Sequence, residues 1–128
     1  MNRRKQFINS LGHAIDGFRY LYRTQNNVRI HFIVTVGIII LSVALGISTT
    51  EWVLILLTMG LVWITESFNT VYERVFDLVD PTINPLVKIG KDVSAAAVLI
   101  SAVISIIVGI LVFLPRILSL LFVYLKIK

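Results

Sequence analysis

The chain contains no cysteine, so it can build neither a disulfide framework nor a thiolate metal site, and its redox compartment leaves no mark on the sequence. Its two histidines, His13 and His31, lack partners at metal-ligand spacing, which argues against zinc. No GxxxxGK[ST] loop and no protein-kinase signature occurs, so any nucleotide must be held by side chains rather than by a phosphate-cradling loop. Internal repeats, low-complexity tracts and a linker that would divide the chain are missing too. The N-terminus is basic, but no apolar run follows it for about thirty residues, which excludes the usual cleavable signal pattern. The first span is therefore expected to stay as an anchor.

Charge is also scarce, at 15% of 128 residues, whereas 57% are hydrophobic. A soluble domain of this size cannot hide so much apolar surface. Three runs account for the excess. Phe32 to Ile47, extended by Ile30 and His31, approaches the length of one span; Trp52 to Thr65 is the second; and Val93 to Leu114 is 22 residues without a charge, enough to cross with some tilt. The expectation is an all-α integral membrane protein with three transmembrane helices at about 30–47, 52–78 and 86–114, forming one domain over 1–128.

Ahead of the first span, residues 5 to 23 place Phe7, Leu11, Ala14, Ile15, Phe18, Leu21 and Tyr22 at helical intervals, opposite Lys5, Gln6, Asn9, His13 and Asp16. This pattern predicts an amphipathic helix on the membrane surface, serving either as an anchor or as part of a site. Asn26 and Asn27 predict a boundary after it. Ser48-Thr49-Thr50-Glu51 is a capping sequence for the second span, with Trp52 and Trp63 in place for the two aromatic belts. Pro81 and Pro85 break the chain before a third helix that starts near Pro85 or Leu86. Pro115-Arg116 is expected to end the third span, leaving Ile117 to Leu125 as an apolar tail too short to cross and lying in the interface. Ala97, Ser101, Ser105 and Gly109 recur every four residues and give a smooth stripe for close packing within or between subunits.

Of the twelve Lys and Arg residues, six precede the first span, and Arg74, Lys88 and Lys91 lie between the second and third. That asymmetry places both segments in the cytoplasm; Arg116, Lys126 and Lys128 weaken the count from the other side. The net charge of +5 suits an anionic leaflet, and its spread around spans makes nucleic acid a poor partner.

Five of the seven carboxylates fall between Glu66 and Asp92. On one helix, Glu66, Asn69, Glu73 and Asp77 share an arc of about 80° and a length of about 16 Å. They form a stripe whose first member lies at membrane depth and whose last reaches water. Ionisable residues at such depth are costly and therefore candidates for function. A proton or ion pathway, or a structural ion pair with Lys88 or Lys91, would also use them. Phosphoryl transfer needs the same set: acids to hold magnesium, a cation for phosphates and a base for the attacking hydroxyl.

ESFNTVYERVFDLVDP, followed by KIGKDVSAAAVLISA, resembles the prokaryotic diacylglycerol kinase and undecaprenol kinase family. The resemblance runs from Ala14-x-x-Gly17-Phe18 to Ile100, and Arg29-Ile30-His31 is most similar to Gram-positive members, many of which act on undecaprenol. It implies a homotrimer with active sites shared between subunits, in the bacterial inner membrane and facing the cytoplasm. It further implies transfer of phosphate from ATP, with Mg2+ as cofactor, to a lipid alcohol, undecaprenol first and diacylglycerol second. By the same resemblance Glu66 is the general base and Asn69 its neighbour, Glu73 a magnesium ligand, and Asp77, Lys91 and Asp92 nucleotide contacts. Thr82, Ile83 and Asn84 match a turn along ATP, His13 a further nucleotide contact, and Arg29, His31 and Ala95 the lipid site. Gln25 departs from the pattern, standing where the family has a second metal-binding Glu. That leaves a catalytically impaired homologue, or a non-enzymatic transporter or lipid sensor, as the rival reading.

Overall fold

The computed structural model describes residues 3–79 and 84–127. Within them the chain forms four helices: α1 (Arg3–Thr24), α2 (Asn26–Ala44), α3 (Thr49–Val79) and α4 (Pro85–Ile127). The last three are long and apolar enough to cross a membrane, so the expected all-helical membrane architecture with a preceding helix is the one observed. No residue of α1 is buried in the chain, and Phe7, Leu11 and Ile15 are all exposed.

The junctions follow local chemistry. Gln25 alone separates α1 from α2, with φ −109° and ψ 118°, an extended residue that lets α2 start at Asn26. Arg29 holds this corner, its guanidinium donating to the Tyr22 and Arg23 carbonyls at 3.0 and 2.8 Å. It thereby satisfies acceptors that a helix C-terminus leaves without partners. Gly46, with φ 56°, makes the left-handed turn after α2 that a side chain would resist. Ser48 and Glu51 then form a reciprocal cap at the start of α3: the Ser48 amide donates to Glu51 Oε2 at 2.6 Å, and the Glu51 amide donates to Ser48 Oγ at 3.4 Å. This is the capping-box geometry. At α4, Asn84 Oδ1 accepts from the Leu86 amide at 2.9 Å, and Pro85 occupies the first helical position, where a missing N–H costs nothing.

The α3–α4 pair is the most extensive contact in the fold, and the small-residue stripe makes it. Ser101 is 2% exposed; its hydroxyl lies 2.9 Å from that of Thr65 on α3, and Ser105 Oγ donates to the Thr58 carbonyl at 3.1 Å. Small hydroxyl residues let the two backbones approach while satisfying their own polar groups. A Ser101→Leu substitution would force the helices apart, at a cost of about 1–3 kcal/mol. We expect a lowered thermal midpoint in detergent, whereas an unchanged midpoint would mean that this contact is not tight.

Past the expected end of the third span the backbone stays helical: α4 runs through Pro115 to Ile127. Ending a helix leaves four carbonyls without intrahelical partners, but an internal proline leaves one, so continuing is the smaller loss. Arg116 joins one end of the α3–α4 pair to the preceding turn. It bonds Glu51 and donates to the Leu45 and Gly46 carbonyls at 3.2 and 3.1 Å, tying the α2–α3 turn to α4. Trp63 makes packing contacts: its Nε1 donates to Thr35 Oγ1 at 3.0 Å, and its ring lies 5.4 Å from that of Phe18, which seats α1 against the spans.

Candidate functional site

Glu66, Asn69 and Thr70 are the buried polar residues of α3. They sit where α3 passes between the first turns of α2 and the early part of α4. Asn27, His31, Glu66, Asn69 and Ala95 line a cleft of about 270 Å³. Glu66 is 2% exposed, and its Oε2 has no hydrogen-bond partner. A buried acceptor without a partner is unusual, and this one belongs to a residue that lines the cleft.

Below Glu66 the stripe is tied to α4. Asn69 Nδ2 donates to Glu73 Oε1 at 3.2 Å, and Asn69 Oδ1 accepts from Ser94 Oγ at 2.7 Å. One amide thus orients the Glu73 carboxylate and links α3 to α4. Two turns further, Lys91 Nζ meets Asp77 Oδ1 at 2.5 Å. At about 46 Å, α3 exceeds the hydrocarbon thickness of about 30 Å, and Asp77 lies on its last turn. Gly90, next to Lys91, has the Phe76 ring where a Cβ would stand. The glycine lets Phe76, and with it Asp77, approach α4 closely.

The structure brings several of the expected residues together and separates others. Glu66, Asn69, His31 and Ala95 share the cleft; Glu73, Asp77 and Lys91 continue from it along the α3–α4 seam. Arg29 caps α1 instead of lining the cleft. His13 lies exposed on α1, and Asp92 is exposed on α4. No ion pair joins Lys88 to Asp92 among the described residues. Asn84 caps α4, while Thr82 and Ile83 lie outside the described residues. Two contributors escaped sequence reading, Asn27 and Ser94. Each had a signal in its spacing, Asn27 four residues before His31 and Ser94 three after Lys91, on faces already marked as polar.

A second feature adjoins the cleft. An apolar groove of about 820 Å³ runs between α2 and α4 across α3, and it shares Ile30, His31 and Ala102 with the cleft. From there it extends past Ile106 and Gly109 to Ile117, about 22 Å along α4. A polar head at Glu66 with an apolar tail along the helices would fit this continuous space.

Among the described residues no group of three or more His, Asp or Glu side chains could hold a metal by itself. Magnesium is commonly bound by one or two carboxylates together with substrate phosphates, and Glu73, oriented by Asn69, offers one such carboxylate. The donor set therefore fits a metal that arrives with a nucleotide.

Comparison with known proteins gives concordant results. The family described as prokaryotic diacylglycerol kinase matches residues 12–113. The undecaprenol kinase of Bacillus subtilis (strain 168) is 36% identical over 115 residues, covering 90% of this chain and 94% of that protein. The diacylglycerol kinase of Synechocystis sp. is 39% identical over 112 residues, covering 87% of this chain and 64% of that protein.

Proposed function

Because the chain belongs to the prokaryotic diacylglycerol kinase family, we propose that this lipid kinase transfers the γ-phosphate of Mg-ATP to undecaprenol, with diacylglycerol as the second candidate. The observation that carries the reading is Glu66: a buried carboxylate with an unpartnered oxygen, in a cleft continuous with an apolar groove. The lipid hydroxyl would enter the cleft and donate its hydrogen bond to Glu66 Oε2. As the hydroxyl oxygen attacks the γ-phosphorus, its proton passes to Glu66, the bond from the γ-phosphorus to the bridging oxygen breaks, and ADP leaves. Lys91, at the seam's outer end, exchanges Asp77 for phosphate oxygens and neutralises charge there. Asn69 keeps Glu73 in place. Magnesium, when bound by Glu73 and the phosphates, supplies further positive charge. The described nucleotide contacts would be Asn69, Glu73 and Asp77 on α3 and Asn84, Lys91 and Asp92 at the start of α4, with His13 on α1 as a further contact. Three copies of the chain would complete shared sites, with the catalytic face towards the cytoplasm of a bacterial inner membrane.

Purified protein in mixed micelles with labelled Mg-ATP, given undecaprenol or diacylglycerol in parallel, tests the reading. Faster labelling of undecaprenol is the expected result. Faster labelling of diacylglycerol would reverse the substrate order, and no label in either lipid would refute the kinase assignment for this chain.

The groove makes a separate prediction. Ala102→Phe narrows the passage between cleft and groove, and it should raise the lipid KM about tenfold, equivalent to about 1.4 kcal/mol of lost contact, with the ATP KM unchanged. Equal effects on both substrates would mean that the tail lies elsewhere.

Gln25 favours one variant reading, a homologue with weakened metal binding, because a neutral amide is a poorer magnesium ligand than a carboxylate. Gln25 sits at the α1–α2 corner, and its backbone N–H donates to the Leu21 carbonyl at 2.9 Å. Gln25→Glu is expected to lower the magnesium concentration for half-maximal rate. An unchanged magnesium curve would remove Gln25 from the metal site.

A further inference from the structure

Two ion pairs bracket the α3–α4 pair, Asp77 with Lys91 at one end and Glu51 with Arg116 at the other. Between them α3 covers about 39 Å and α4 about 37 Å. A bilayer including its headgroup regions measures about 40–45 Å, so the two pairs stand at opposite headgroup levels. The helix α4 does not stop at the second pair. It continues through Pro115 to Ile127, and a straight course would carry Ile117 to Lys126 about 15 Å past the membrane.

That segment, ILSLLFVYLK, cannot stand in water. Leu118, Leu121 and Leu125 cover one side of the helix, while Leu120, Phe122 and Val123 cover the others, and all are exposed in the chain. A helix that is apolar all round has no face to give to solvent, and a contact with one protein surface would still leave apolar sides uncovered. Lipid can surround every side. Charge agrees with this: after Asp92 the sequence has no Asp or Glu, only Arg116, Lys126 and Lys128, so the segment is flanked by cations. Pro115 supplies a bending point, because it leaves one helix carbonyl without its donor. The family model's match ends at residue 113, ahead of the segment.

We propose that residues 117–126 turn at Pro115 and lie in the headgroup–acyl boundary of the leaflet opposite the Glu66 cleft, where they bind an anionic lipid surface. The Arg116–Glu51 pair fixes the root of this anchor, and the inference does not depend on which lipid the site phosphorylates.

The absence of cysteine makes the test direct. Leu118→Cys, Leu121→Cys, Val123→Cys and Leu125→Cys, each spin-labelled in the full chain in nanodiscs of phosphatidylglycerol and phosphatidylcholine, report collision with oxygen and with a water-soluble nickel chelate. We expect oxygen access to exceed nickel access several-fold at all four positions, with depth repeating at the helical period. In discs of phosphatidylcholine alone the labels should move towards water. Nickel access equal to that of a Thr49→Cys control would place the segment in water, and suppression of both collisions would place it against protein; either overturns the proposal. So does a depth that changes steadily from 118 to 125, which describes a straight helix, or one indifferent to the anionic lipid.

Discussion

Glu66→Gln should lower the rate of lipid phosphorylation by about 10²–10⁴-fold, the usual contribution of a general base, and leave ATP binding and the thermal midpoint near those of the parent chain. Glutamine keeps the shape of the side chain but cannot accept the hydroxyl proton. The substitution also asks little of the fold, because Glu66 Oε2 has no hydrogen-bond partner to lose. Lipid phosphate formation in micelles, ATP binding by calorimetry and a melting curve measure the three quantities on one preparation. Normal turnover would remove Glu66 from the role of base, and loss of ATP binding together with turnover would mark it as a nucleotide contact instead.

Asn69→Leu should act through the metal. Asn69 is 8% exposed and makes two bonds at once, donating to Glu73 and accepting from Ser94. Leucine fills a similar volume and makes neither. Ser94 can then fall back on the Lys91 carbonyl, which its hydroxyl already reaches at 2.9 Å, but Glu73 loses the donor that orients it. Partners that hold a metal ligand in place are typically worth about 10–100-fold in metal affinity or activity, and a rise of that order is expected in the magnesium concentration for half-maximal rate. Asn69→Asp separates the two bonds: it preserves an acceptor for Ser94 and sets a like charge beside Glu73, so it too should shift the magnesium curve. A lowered melting temperature with an unshifted magnesium curve, in both variants, would reduce Asn69 to a helix-packing residue.

The stripe of Glu66, Asn69, Glu73 and Asp77 was legible because helical spacing alone puts them on one face. What faces the stripe was not. Sequence reading left Lys88 and Lys91 equally eligible as partners for it, and the fold pairs Lys91 with Asp77. Arg29 and His31 read alike as residues of the lipid site. Once α1 folds back, however, Arg29 is drawn to the carbonyls of Tyr22 and Arg23, and His31 alone of the two lines the cleft.

The sequence by itself determined the class of the molecule, the number of spans and most of the junctions. Those depend on hydropathy, length, caps and prolines, and a helix in lipid satisfies its backbone within its own segment. It left open whether the backbone stays helical past Pro115, where the weighing of one lost hydrogen bond against four depends on surroundings that no local pattern records. Only the tertiary structure decided the rotation and axial register of α2, α3 and α4. Close packing through Ser101 and Ser105 fixes that register, and the register decides that Ser94 meets Asn69, that Arg116 meets Glu51, and that Glu66 lines a cleft adjoining an apolar groove.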